Sequence, residues 1–356
     1  MSEEKYSVKP LAYLDLNILD LFNEYKEKPL LSKDSDFFHY LKTEVQVVYS
    51  PITLEEICRS IVNGKNSKFG IEFLDILKEL NAHYISLTND ENGFITNTIF
   101  RSWEEPLIHF NRYIEHNFLN KFIQPFKNNL FAMYGGIKDF EKFKHEQIES
   151  LETLLLLLED SLRYLENCKD KGEYILSEIE KYKVEIPKLR AQQNEYESLV
   201  HISTQHLQDA HNEQPAHRNF RDYLKIDINH LNKIEFPNVI NQIWKMLQNN
   251  NAELEGVELE DFFQLRKLIP KNEYYIFEKV NQIYTMLNLL GYHQDKGMNK
   301  EKRFIASFSD MSHASYSCFC DYLFTRDKAF SLKVDTAYEY LNVATQVVFV
   351  QVSKTP

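Results

Sequence analysis

The chain has 356 residues, 43% hydrophobic and 26% charged. That is material for one large domain or two ordinary ones, and it excludes a disordered polymer, because enough apolar surface is present to offset the entropy of ordering. Only 9 glycines and 10 prolines exclude collagen-like, all-β and propeller architectures, and a net charge of −12 (41 Lys+Arg against 53 Asp+Glu) counts against a passive nucleic-acid coat. A nuclease survives that exclusion, since bound divalent cations invert the local field.

Ala12-Tyr13-Leu14-Asp15 is predicted as a first strand, and residues 16–25, with Leu16, Leu19 and Phe22 at helical spacing, as the helix after it. The β-branched run 45–49 predicts a second strand ending at Ser50-Pro51, and Thr53 is then expected to cap a helix carrying Glu56, Ile57 and Ile61. A helix over 68–80 precedes a third strand over 83–87, closed by Thr88-Asn89-Asp90 and the turn signal Asn92-Gly93. Strands separated by helices predict parallel pairing with right-handed crossovers.

From about Trp103 to about Gly291 the pattern is charged, amphipathic helix without a convincing strand, clearest over 140–167 and 187–207. Breaks are expected near Gly135-Gly136, Gly172, Pro187, Gln214-Pro215, Pro237, Asn249–Asn251 and Pro270. The alternating pattern then returns as a helix over 304–320, a strand over 322–325, a helix over 327–341 and a strand over 345–350. The expected fold class is therefore α/β: a domain formed by residues 1–100 and 301–356, interrupted by a mainly α-helical insertion over 101–300.

The longest uncharged apolar run, Leu154–Leu158, is far short of the roughly 20 residues of a membrane span. Met1-Ser2-Glu3-Glu4-Lys5 has neither the basic start nor the apolar stretch of a secretory signal. The expectation is a cytoplasmic protein without a membrane partner, whose cysteines (Cys58, Cys168, Cys318, Cys320) stay reduced. There is no Gly-rich phosphate loop and no Gly-x-Ser-x-Gly elbow, so an intrinsic NTPase or serine hydrolase has no support. A Cys-x-Cys on a helix points its thiols to different sides, so Cys318 and Cys320 with His313 do not form a zinc set, and buried structural cysteines are expected.

Ligands of open parallel sheets bind beyond the carboxyl ends of the strands, so acids there carry most weight. Asp15 ends the first strand, Glu56 lies on the helix after the second, Asp310 is on the helix before 322–325, and Asp327 follows that strand. Taken singly, Asp15 and Asp327 are also good helix caps and Glu56 a capping-box residue, but caps do not account for Asp310 inside a helix.

Tyr13-Leu14-Asp15-Leu16-Asn17, Ser50-Pro51-Ile52-Thr53-Leu54-Glu55-Glu56-Ile57, Asp310 with His313 and Ala314, and Phe324-Thr325-Arg326-Asp327 together resemble the PIN-domain ribonucleases, in that family's order of acids. The resemblance spans about residues 10–90 and 300–352. It implies a four- or five-stranded parallel sheet flanked by helices and an endoribonuclease whose carboxylates, Asp15, Glu56, Asp310 and Asp327, hold Mg²⁺ or Mn²⁺, two ions being expected. Ionised carboxylates at close range need such compensation, and a paired-ion site serves in-line displacement on phosphate. By the same resemblance Glu56 is preferred to Glu55, and Asn17, Thr325, His313 and Arg326 are expected around the metal or the substrate phosphate.

In the insertion, the polar cluster around His217, Arg218 and Arg221 is a candidate substrate clamp, a solvated helix end being the plainer alternative. By analogy the substrate is tRNA or another structured RNA, and the setting a toxin or antiviral defence system with a regulatory or NTPase partner protein. The insertion helices are candidates for homo-oligomerisation. Two alternatives stand beside this: a DNA nuclease of related acidic-cluster type, and a catalytically inactive PIN scaffold that binds a partner protein through its helices.

Overall fold

The computed structural model describes residues 9–27, 32–63, 68–90, 95–115, 120–169, 172–210, 214–266 and 274–351. The chain is α/β. Six strands, β1 (Leu11–Leu14), β2 (Gln46–Tyr49), β3 (His83–Asn89), β4 (Ile95–Ser102), β5 (Tyr322–Thr325) and β6 (Gln346–Phe349), form one sheet in the order β4-β3-β2-β1-β5-β6. All neighbours pair parallel except β3 and β4, which form an antiparallel hairpin at the edge.

The helices are α1 (Leu16–Glu27), α2 (Ser32–Thr43), α3 (Pro51–Asn63), α4 (Lys68–Glu79), α5 (Pro106–Glu115), α6 (Asn120–Met133), α7 (Phe140–Asn167), α8 (Glu173–Ala210), α9 (Ala216–Tyr223), α10 (Ile228–Leu231), α11 (Val239–Asn250), α12 (Leu259–Phe262), α13 (Ile276–Leu290), α14 (Glu301–Ser317) and α15 (Lys328–Leu341). The chain divides into two compact units. One comprises residues 1–116, 221–296 and 305–356, and the other 117–220 with 297–304. Residues 221–296, expected within the insertion, thus group with the sheet.

In the first unit, the two-residue period of β1 sends Ala12 and Leu14 to one face of the sheet and Tyr13 to the other. Ala12 and Leu14 join Ile18, Leu41, Val47, Ile57, Leu77 and Phe324 in one buried cluster. Each such large side chain contributes about 1.5–3 kcal/mol on burial. Tyr13, fully buried on the opposite face, meets α14. Helix α3 starts earlier than expected: Pro51 occupies its first position, where a missing N–H costs nothing. Ser50 Oγ accepts from Ile52 N (3.2 Å) and Thr53 Oγ1 accepts from Ser50 N (3.3 Å), so Ser50 takes the cap position and Thr53 bonds back to it.

Strand β4 was not anticipated. Its residues Ile-Thr-Asn-Thr-Ile-Phe-Arg-Ser are mostly exposed or half-buried, so no apolar alternation marks it. Helix α14 stops at Ser317, short of the expected 320, and Asp327 precedes α15 as its N-cap. The turn signal Asn92-Gly93 and the break at Pro270 lie outside the described residues.

In the second unit α7 begins at an Asp139 cap, whose Oδ1 accepts from Lys142 N at 2.9 Å, and packs along α8. Phe143 and Leu155 on α7 and Ile179, Ile186 and Val200 on α8 are buried. Arg190 donates to Glu152 (2.7 Å) and Glu159 (3.0 Å) across the pair. The break expected at Pro187 does not occur, because buried residues on both sides of the proline anchor α8 and offset the hydrogen bond it lacks. No described helix is long and apolar enough to cross a membrane.

Candidate functional site

From β1 the sheet grows through β2 and β3 in one direction and through β5 and β6 in the other. The connections after β1 and β5 therefore diverge, which opens a crevice beyond their carboxyl ends at the topological switch point. Asp15 and Thr325 stand there on adjacent strands. Thr325 Oγ1 donates to Asp15 Oδ2 (2.6 Å) and Asn17 Nδ2 donates to the same oxygen at 2.5 Å. Asn17 Oδ1 in turn accepts from Arg326 N at 2.9 Å, and Thr325 Oγ1 from Asp327 N at 3.0 Å. Both bonds to Asp15 fall on Oδ2, and among the described residues Oδ1 takes none. Asp327 is exposed and its Oδ1 accepts from Phe330 N (2.9 Å), so one of its oxygens is committed to capping α15. The Arg326 guanidinium acts on Asp20, whose carboxyl is raised by burial and by Glu24, and offsets that rise only in part.

Glu56 reaches inward from α3, where His313 Nε2 meets its Oε2 at 3.0 Å and Arg59 its Oε1 at 3.2 Å. Glu55 pairs with Arg59 at 3.3 Å. His313 is fully buried, with Nδ1 2.7 Å from Tyr13 Oη, which lies 2.6 Å from Ser50 Oγ. Were both ring nitrogens protonated, each would donate, leaving the phenol to donate to Ser50. Burial lowers the pKa of His313, but Glu56 and Asp15 outweigh it and the net shift is upward. Burial raises that of Glu56, but His313 and Arg59 outweigh it and the net shift is downward. His313 thus faces protein on both nitrogens, through Tyr13 and Glu56.

Asp310 lies on α14 one turn before His313. Its carboxyl is pushed well above the usual range, first by burial and then by Asp15, Asp295 and Glu56. Among the described residues it forms no hydrogen bond or ion pair. Asp15 is likewise raised by burial, against the pull of His313 and the Thr325 bond. The structure therefore brings Asp15, Glu56 and Asp310 into one electrostatic neighbourhood, with Asp327 at its exposed margin.

Asp295 and Lys333 were missed in the sequence. Lys333 Nζ, fully buried, is 2.7 Å from Asp295 Oδ1, donates to Asn288 Oδ1 (2.9 Å) and lies 4.4 Å from the centre of the Tyr284 ring. Asp295 Oδ2 accepts from Ser307 Oγ at 2.6 Å and from Asn288 Nδ2 at 3.2 Å. A signal existed for the lysine: Phe330, Val334 and Ala337 put position 333 on the buried face of its helix.

The proposed clamp in the insertion is not an exposed one. His217 and Arg221 are buried, His217 Nδ1 lying 3.1 Å from Met133 O. Arg221 donates to Leu289 O (2.6 Å) and Asn288 O (2.8 Å), closing the carboxyl end of α13. Of the three, Arg218 alone is exposed. The cysteines are free, and burial pushes the Cys318 thiol up to about 12 and Cys320 further in the same direction.

Hard oxygen donors that repel one another suit Mg²⁺ or Mn²⁺, and Asp15 and Asp310 fit such an ion. Glu56 is taken by His313 and Arg59. Among the described residues no three His, Cys, Asp or Glu side chains are gathered closely enough to hold a metal. Asp15 and Asp310 are thus the two withdrawn carboxylates left without a paired cation among the described residues. Compared with family models, curated proteins and solved structures, the chain matches none.

Proposed function

We propose that this chain is a metal-dependent endoribonuclease of PIN type, acting at the crevice where β1 and β5 end. The observation that supports this most is Asp310: a carboxyl raised well above its usual range by burial and three other acids, with no cationic side chain paired to it among the described residues. A divalent cation relieves that repulsion, and Asp15 and Asp310 would hold it. When bound, the ion lowers the pKa of water and offsets charge on a phosphoryl oxygen. The chain's own residues do the rest. Thr325 and Asn17 fix Asp15 through Oδ2 and leave Oδ1 without a hydrogen bond among the described residues, while His313 and Arg59 hold Glu56 beside the crevice.

RNA as substrate, tRNA among the candidates, and a place in a toxin or antiviral system with a regulatory or NTPase partner extend this proposal by the resemblance alone. Cleavage of labelled tRNA, total RNA and single-stranded DNA with Mn²⁺, with Mg²⁺ and with chelator tests it, alongside Asp310→Asn. Metal-dependent cutting of RNA that the substitution abolishes is the expected result. Cutting of DNA alone makes the chain a DNA nuclease. No cutting together with no bound ion leaves a scaffold that binds a partner protein through its helices.

A further inference from the structure

We infer that the outer edge of β4, with the adjoining face of α5, is the surface through which two copies of this chain join, strand against strand, into a dimer with one continuous sheet. The dimer needs no metal ion and stands apart from the nuclease reading.

The sheet has two edges, and they differ. Strand β6 is four residues long and carries no exposed large apolar side chain. Strand β4 runs for eight residues, about 27 Å. It lacks the devices that keep an edge unpaired, having no proline, no lysine and one charge, Arg101. On the side away from β3 its backbone groups meet no strand among the described residues.

Helix α5 lies beside this edge. Its His109 stacks on Tyr84 of β3, with ring centres 4.2 Å apart, and His109 Nε2 is 3.1 Å from Ser102 Oγ at the end of β4. With His109 and Phe110 turned inward, Leu107 and Ile108 are left to solvent. Trp103 is 70% exposed, Phe100 and Leu107 53%, Ile95 51% and Ile108 42%. Together they leave on the order of 500 Å² of apolar side chain in water, more than scattered surface residues account for. A stable interface takes about 800 Å² from each partner, and the backbone edge with its threonines supplies the remainder.

Charge selects the occupant. The acids bordering the patch are already paired, Glu104 with Arg112 and Glu105 with Lys78 at 3.0 Å, and Arg101 lies over the Trp103 ring at 5.5 Å. One cation does not hold the phosphates of a nucleic acid, and no charge is left over for an oppositely charged peptide. In a chain of net charge −12, whose copies repel, a strand without acids is where two can approach. Antiparallel pairing of β4 with itself satisfies a two-fold axis, each copy giving the groups it receives. With the axis near Thr98, Phe100 crosses to the threonines of the second copy and the two Arg101 side chains stand about 20 Å apart, so like charges do not meet.

Sedimentation velocity of the full-length protein over micromolar concentrations tests this. The wild type is expected at twice the 42.4 kDa of one chain. Phe100→Lys and, separately, Leu107→Glu are expected to raise the dissociation constant at least about tenfold, as for side chains central to an interface. Leu156→Glu, at an exposed position of α7, is expected to leave it unchanged. Circular dichroism melts at dilution, where monomer prevails, check that each variant folds, and if one does not, the other decides. A monomeric wild type, a dimer that either folded edge variant retains at full affinity, or a dimer lost in folded Leu156→Glu each overturns the inference. A monomeric wild type whose RNA binding falls in Phe100→Lys would give the patch to RNA instead.

Discussion

His313 Nε2 and Glu56 Oε2 meet at 3.0 Å between α14 and α3, both side chains largely withdrawn from solvent. The pair joins two helices whose positions in the chain are far apart, and it fixes which way Glu56 points. Its contribution to stability has a definite pH window. The pKa of His313 is raised from 6.5, so its share is complete below that value and is lost as pH rises through the raised one. That of Glu56 is lowered from 4.5, so its share is complete above that value and is lost as pH falls through the lowered one. The stability difference between wild type and His313→Gln should therefore be greatest between pH 4.5 and 6.5 and shrink on both sides. Within the window the substitution should cost about 3–5 kcal/mol, as for one partner of a buried pair. Urea unfolding across pH in the presence of chelator checks this.

Asp310→Asn should stabilise the metal-free protein. Its pKa is raised in the folded state, so the ionised carboxyl opposes folding at neutral pH, and a neutral amide of the same shape removes that opposition. A gain of about 1–2 kcal/mol in thermal or urea unfolding with chelator is expected, as for site residues kept at a cost in stability. A loss of stability would show that Asp310 serves the fold.

Arg221→Met should destabilise the first unit and leave RNA affinity unchanged. The guanidinium bonds Leu289 O and Asn288 O at the end of α13, and removing it strands buried carbonyls at about 2–4 kcal/mol. Unfolding curves and filter binding of labelled RNA separate the two roles. Weakened RNA binding in a variant that remains folded would restore the clamp.

Strand β4 lies at the edge of the sheet among the described residues, carries one charge, Arg101, in eight residues, and exposes Ile95 and Phe100. Such an edge pairs readily with other chains. Phe100→Lys should lower light scattering during refolding while changing stability by less than about 0.5 kcal/mol, as expected at an exposed position.

Much of this architecture was legible, and the parts that were not share a cause. Strands β1, β2 and β5 are short, mostly buried runs, β3 and β6 are marked by their β-branched and aromatic residues, and α7 shows its stripe so clearly that its expected limits, 140 and 167, are those observed. Asp15 was legible because the apolar run of β1 ends abruptly at it, at the edge of the sheet where ligands bind. Strand β4 was not, since an exposed edge needs no apolar period. Pro187 reads locally as a break, and only packing of α8 on α7 keeps the helix through it. Asp295 resembles a surface charge in sequence, and although its helix face marks Lys333 as buried, the pairing of the two through Asn288, Ser307 and Tyr284 is a relation no local pattern encodes.

The central strand β1, residues 11–14, pairs on one side with β5, residues 322–325. Contacts between residues so distant in the chain form late, because loop closure must precede them. On a ribosome that emits the amino end first, Asp15 and Glu56 wait for Asp310, Thr325 and Asp327 until residues 310–327 have emerged. The crevice cannot assemble on a nascent polypeptide still being threaded out. Truncated products of interrupted synthesis would carry Asp15 and Glu56 without Asp310 or Thr325.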